Sequence, residues 1–397
     1  MYNLIMKNIK LPDDVRMILN RFHENGYEAF IVGGCVRDSL LGDEPKDYDI
    51  TTNALPTQVE QLFSDLKVIE TGIRHGTVTV IINKEPYEIT TYRTDVKYSD
   101  HRHPDEVRYA LTLGEDLSRR DFTVNAMAYD EENGLIDSFN GVNDLNEGII
   151  RCVGDPDTRF NEDALRILRC IRFASRYGFR IEKNTESALF RNRELLRYVS
   201  VERIATEFNE IITSNKANEY LSRYRIIFET VMPQLEDLDF SLVGKVNRRL
   251  YMRISALFVL DDSLSAVGML RHMHYSNKII DEVSTLLDHI DSPLETDYDI
   301  RRMFFEIGIK ATNDLLSLKK ARGDDLDYGM IRKRIRELRK SFIARDQMNI
   351  NGDDLMILGY RGREIGQILD DLYEQILRDE IKNDHEELMK ATLKGSN

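Results

Sequence analysis

Two aspartates, Asp47 and Asp49, flank a tyrosine a short reach downstream of an adjacent glycine pair, in the stretch GGCVRDSLLGDEPKDYDI (33–50). On an extended chain alternate side chains share a face, so both carboxylates point the same way. Side by side they repel, and they stay ionised together only with a cation between them. Paired oxygen donors suit Mg²⁺, which takes one or two carboxylates and completes its shell with water and substrate phosphates. Glu88, in PYEITTYR (86–93), is placed to add a third carboxylate from a neighbouring strand. An isolated D-x-D is most often a solvated strand edge, but the glycine pair changes the reading. Gly33 and Gly34 end an apolar run and precede the helical VRDSLLG. Glycine there lets the backbone approach a ligand closely, and the helix that follows aims free N–H groups at an anion. Arg37 falls in the first turn, where the helix dipole disfavours a cation unless an anion is bound. Strand, glycine pair, helix, arginine and D-x-D together describe a triphosphate cradle beside a metal-binding carboxylate pair, which is the apparatus of nucleotidyl transfer.

Two further clusters extend this chemistry. DLSRRDFTVNAMAYD (116–130) sets Arg119 and Arg120 before an apolar run holding Asn125. Paired arginines can clamp phosphates through forked hydrogen bonds, although a solvated loop would carry the same pair. NEDALRILRCIRFASR (161–176) reads as one helix with Arg166, Arg169 and Arg172 on a broad side shared with Asp163. An amphipathic helix spaces its charges too, but three arginines beside so broad an apolar face call for an anionic partner. Asp163 and Arg166 suggest base reading. Cytosine and adenine both present an amino donor next to a ring-nitrogen acceptor, which a carboxylate and a guanidinium complement; uracil and guanine present the reverse order. One fixed pair could therefore accept CTP and ATP and refuse UTP and GTP.

The elements that must position these residues change character near residue 150. Before it, Glu28–Gly34, Asp47–Thr52, Gly76–Ile82 and Tyr87–Arg93 read as strands, with helices over Asp13–Asn25 and Thr57–Leu66. After it, apolar residues recur with helical period to the C-terminus. The expected fold is an α/β N-terminal head (1–150) followed by all-α parts: a neck (151–215), a body (216–330) and a tail (331–397). At 397 residues several domains are expected. The net charge of −14 means that any nucleic-acid contact must come from local basic patches. One such patch is IRKRIRELRKSFIAR (331–345), with seven Lys/Arg and one Glu. Three scattered cysteines argue for a reducing compartment and against a disulfide framework or a cysteine zinc site. No apolar run reaches the ~18 residues of a membrane span, and the N-terminus lacks signal-peptide order, so a cytoplasmic location is expected.

VGGCVRDSLLGDEPKDYDITT, YEITTYRTD, DLSRRDFTVNAMAY and NEDALRILRCIRFASRYGF resemble the successive signatures of the class II tRNA nucleotidyltransferase and poly(A) polymerase family, over about residues 25 to 215. The ending, from Met348 onward, resembles the tail of the CCA-adding members. The resemblance implies a polymerase-beta-like head and template-independent addition of C, C and A to the tRNA 3′ end from CTP and ATP. It implies that Asp47 and Asp49 hold Mg²⁺, with Glu88 at the acidic strand position. Gly34, Arg37 and Arg120 would meet the incoming nucleotide, Asp163 and Arg166 would read its base, and Arg169 and Arg172 would support its phosphates. The segment 95–107 matches the family's flexible loop and is expected to re-aim the base-reading pair between additions. No His-Asp dipeptide of a phosphohydrolase domain occurs. A poly(A) polymerase, a CC-only adder and a non-catalytic RNA-binding relative remain as alternatives, and a homodimer is left open.

Overall fold

The computed structural model describes residues 9–72, 76–96 and 106–394. The segment 95–107, to which the sequence assigns a lever role, lies largely outside the described residues. The chain divides into two compact units, Met1–Glu236 and Asp237–Asn397. The expected head and neck thus fall within the first unit.

That unit is built on a seven-stranded sheet. In chain order it uses β1 (Ala29–Val32), β2 (Ile50–Thr52), β3 (Lys67–Gly72), β4 (Thr77–Ile82) and β5 (Glu85–Thr91), then β8 (Ala128–Asp130) and β9 (Gly134–Ile136). A separate ribbon pairs β6 (Arg93–Val96) with β7 (Glu106–Tyr109). The sheet order is β3-β4-β5-β2-β1-β8-β9. Only β2 and β5 run parallel, in the register Ile50–Ile89; the other pairs are antiparallel. The interior strand β1 reads AFIV and is buried throughout, because both of its faces are covered. β4 alternates buried and half-buried residues, as expected with one packed face. α1 (Asp13–Glu24) buries Val15, Ile18, Leu19 and Phe22 at helical spacing, with Asp13 and Asp14 in its first turn and Arg21 and His23 in its last, matching the helix dipole. A buried cluster of Phe30, Val32, Tyr92, Leu117, Ala126, Ala128 and Val153 ties β1 and β8 to the segment that carries Arg119 and Arg120.

One sequence expectation needs correction. Residues 161–176 are not a single helix. A helix over Pro156–Glu162 ends at Asp163, whose backbone turns extended (φ −140°, ψ 103°), and a second helix spans Arg166–Tyr177. The Asp163 carboxylate accepts from the Leu165 N–H at 3.1 Å, a local bond that competes with continuing the helix. Asp163 therefore stands before the start of the arginine helix rather than on its side.

The second unit is helical, with successive helices from Leu250–Phe258 to Tyr328–Leu338. Its last part, Gly352–Ile357, Arg363–Leu377 and His385–Lys394, closes on Ile350, Leu355, Leu372 and Leu388.

Candidate active site

The turn after β1 places the first functional groups. Gly33 has φ +76°, a conformation that a side chain strains. A Cβ there would also stand 3.0 Å from Nη1 of Arg120. The chain then enters the helix Gly34–Leu41, and Arg37 on its first turn is buried at 4% exposure. Its guanidinium donates to Asp38 at 2.8 Å and to the Asn125 amide oxygen. It also lies 5.1 Å from the ring centroids of both Phe173 and Tyr177. The helix Arg166–Tyr177 thus packs its C-terminal turn against the first turn of Gly34–Leu41, and the Tyr177 hydroxyl donates to Asp38 at 2.9 Å.

Asp47 and Asp49 lie just before β2 rather than within it, but the Asp49 carbonyl still accepts from the Val32 N–H at 3.0 Å, so β1 fixes its place. Asp49 is open to the cleft, yet the protein around it makes the charged form costly. Burial pushes its carboxyl above the usual carboxylate range; Arg120 opposes this, and the charges of Asp47 and Glu88 add to it. Glu88 is one residue before the Ile50–Ile89 register pair, exposed on β5. Among the described residues no three His, Cys, Asp or Glu side chains gather as a metal cage. The donor set is the aspartate pair, which fits a divalent cation that takes its remaining ligands from water and a substrate's phosphates.

A wall of arginines lines the same cleft, and four of them are fixed by buried acids. Asp116 is fully buried and binds Arg119 at 2.7 Å and Arg120 at 3.2 Å. Burial alone would raise its carboxyl, but the two guanidiniums outweigh that and hold it below the usual range. Asp121 accepts from Arg169 at 2.7 and 2.9 Å, from the Phe122 N–H at 2.8 Å and from Asn125 at 3.0 Å. Arg172 pairs with Glu207 at 2.6 Å. Here burial prevails, and the Glu207 carboxyl lies above its ordinary value despite Arg172 and Arg169. Arg166, 8% exposed, is held by Glu162 at 2.6 Å and by the Arg159 and Arg119 carbonyls at 3.1 and 3.0 Å. Asp163 accepts from Arg203 at 3.0 Å. These anchors set each guanidinium before a ligand arrives.

Nine of the ten residues given a site role from sequence line one cleft of about 600 Å³, namely Gly34, Arg37, Asp47, Asp49, Arg120, Asp163, Arg166, Arg169 and Arg172, and Gly33, Arg119 and Asn125 line it too. Glu88 is not among the lining residues; its influence there is through its charge on Asp49. Sequence reasoning gave no role to Asp121 or Arg176, which also line the cleft, nor to Asp116, Arg203 and Glu207, which orient its arginines. Asp121 and Asn125 carry a readable signal, since they stand four residues apart beside the arginine pair. Arg203, forty residues from Asp163, carries none.

Residues 29–151 match the profile described as "Poly A polymerase head domain". Residues 254–392 match tRNA nucleotidyltransferase domain 2, and 178–238 match the "Probable RNA and SrmB- binding site of polymerase A". The CCA-adding enzyme of Ligilactobacillus salivarius is 35% identical, with 98% of each chain covered. That of Geobacillus sp. is 38% identical over 85% of each. Among solved structures, the Bacillus stearothermophilus CCA-adding enzyme in complex with CTP superposes with a TM-score of 0.81 at 28% identity over 96% of both chains. With the head-domain match and the full-length similarity in agreement, the chain belongs to the class II CCA-adding enzymes of the tRNA nucleotidyltransferase and poly(A) polymerase family.

Proposed function

We propose that this protein adds C, C and A to the 3′ end of tRNA, taking CTP and ATP in turn and releasing pyrophosphate without a nucleic-acid template. The observation that carries the reading is that the aspartate pair, the glycine cradle and the Asp163/Arg166 pair open onto one cleft.

Asp47 and Asp49 would hold Mg²⁺, which bound there supplies Lewis-acid stabilisation of charge on the phosphoryl oxygens. The N–H groups at the start of Gly34–Leu41 and the guanidiniums of Arg37 and Arg120 receive the phosphates. Arg169 and Arg172, held by Asp121 and Glu207, present fixed positive charge, so little reorganisation is needed as charge develops. Asp163 accepts from the amino group common to cytosine and adenine; a carboxylate has about four acceptor sites, and its bonds to Leu165 and Arg203 occupy two. Arg166 donates to the adjacent ring nitrogen. Arg203 sets the aim of Asp163 without meeting the base. In the second unit, Arg332, Lys333, Arg336, Arg339 and Lys340 are exposed on and just beyond the helix Tyr328–Leu338, and we assign them to the RNA backbone. The functional division into head, neck, body and tail follows the boundaries 1–150, 151–215, 216–330 and 331–397.

Incubation of the protein and Mg²⁺ with tRNA transcripts ending before CCA, after CC, or complete, with each labelled nucleotide in turn, tests the reading. Two C additions, then one A, and none to the complete tRNA are expected. Stalling at CC would make the protein a CC adder, and runs of A on any RNA a poly(A) polymerase.

A further inference from the structure

Six of the arginines that line the cleft are held by a carboxylate, as described above. Arg176 is different. It lines the same cleft and is exposed, and among the described residues it has no carboxylate partner. Its guanidinium carbon lies 5.3 Å from the centroid of the Tyr177 ring. An arginine set into a cleft with no anion of its own is placed to take one from a ligand.

Its position says which part of a ligand. Arg166 and Arg176 are ten residues apart on one helix, so about 15 Å separates them along the axis. The base-reading pair is at the N-terminal end. The C-terminal end packs on the cradle, through the bond from Tyr177 to Asp38 and the rings of Phe173 and Tyr177 beside Arg37. A nucleotide whose base meets Asp163 and Arg166 and whose phosphates enter the cradle therefore ends beside Arg176. We propose that Arg176 binds the β- and γ-phosphates of the incoming nucleotide and holds the leaving pyrophosphate. This rests on the nucleotidyl-transfer reading. In that reaction the RNA 3′-oxygen bonds to the α-phosphorus. The bond from that phosphorus to the oxygen bridging to the β-phosphate breaks, its electron pair leaves with pyrophosphate, and the hydroxyl proton passes to solvent. The attack is in line, so the RNA enters on the side away from the leaving group and from Arg176.

Arg176→Ala and Arg176→Lys test this by calorimetric titration with Mg²⁺-pyrophosphate and Mg²⁺-CTP, alongside steady-state addition. The alanine variant is expected to bind both ligands about tenfold more weakly, the scale of one charge-assisted hydrogen bond. KM for CTP and ATP should rise together, with KM for tRNA, the preference for C and A, and the melting temperature unchanged. The lysine variant should recover most of the loss. Wild-type affinity for pyrophosphate and CTP in Arg176→Ala overturns the proposal, and a rise in KM for tRNA alone assigns the residue to RNA instead. Should the wild-type protein add no nucleotide to any tRNA, the nucleotidyl-transfer reading fails, while the pyrophosphate titration still decides whether Arg176 binds phosphate.

Discussion

Replacing Asp121 by asparagine isolates the electrostatics that organise the arginine wall. Asp121 is 8% exposed and receives four hydrogen bonds, two of them from Arg169. Burial on its own would raise its carboxyl; Arg169 and Asn125 reverse this and bring it down to about 2. Against an unfolded value near 3.9, that drop is worth on the order of 2–3 kcal/mol at neutral pH. Because the folded value is depressed, the stabilisation is complete above about pH 5 and disappears as pH falls through about 2. The substituted amide would still accept from the Phe122 N–H but would leave Arg169 without its counter-charge. Asp121→Asn should therefore destabilise the first unit by about 2–3 kcal/mol at pH 7 and by about half that at pH 3. Hydrogen exchange in graded urea, read by mass spectrometry, measures this locally, with peptides from residue 237 onward as an internal control. An equal loss at pH 7 and pH 3, or an equal loss in both units, would refute the assignment. The same variant should raise KM for CTP and ATP, because Arg169 loses its anchor.

Asp49→Asn should reduce nucleotide addition below about 1% of wild type, the scale of losing a metal ligand. It should not lower the unfolding midpoint: the folded carboxyl is raised, so its charge costs stability above that value, and a denaturation curve at pH 7 shows whether asparagine relieves it. Asp47→Asn should likewise lose addition and keep its fold by circular dichroism. Arg203→Met should relax the preference for C and A over U and G by about tenfold, the worth of one ionic hydrogen bond, with little effect on pyrophosphate affinity; misincorporation kinetics measure it. Cys35 and Cys152 are buried, and burial pushes both thiols up to about 12. Neither should be alkylated by iodoacetamide at pH 8 until denaturant is added, as peptide mass mapping will report.

Much of the site was legible because local spacing encodes it. The glycine pair, Arg37 and the two aspartates lie within seventeen residues, and a strand-turn-helix reading places them together without tertiary knowledge. The three arginines from Arg166 follow a helical step, and the structure sets all of them in the cleft. The break at Asp163 was missed because helical periodicity registers apolar positions, whereas the break comes from a side-chain bond to the Leu165 N–H. Three-residue strands such as β8 are too short for alternation to reveal. The partners that orient the arginines were invisible for another reason: Arg203 and Glu207 lie on a helix remote in sequence, and only folding brings them to Asp163 and Arg172. Arg176 escaped notice because it follows Arg172 by four residues, outside the run of threes.

The claim that one fixed pair reads both CTP and ATP is tested most directly by single-turnover kinetics of Asp163→Ala on tRNA lacking CCA, with all four nucleotides supplied separately. Loss of one base-edge contact should cost on the order of 1–3 kcal/mol of discrimination, so UTP and GTP should gain on CTP and ATP by about 5- to 150-fold while pyrophosphate affinity stays near wild type. An unchanged preference for C and A in that variant would contradict the account.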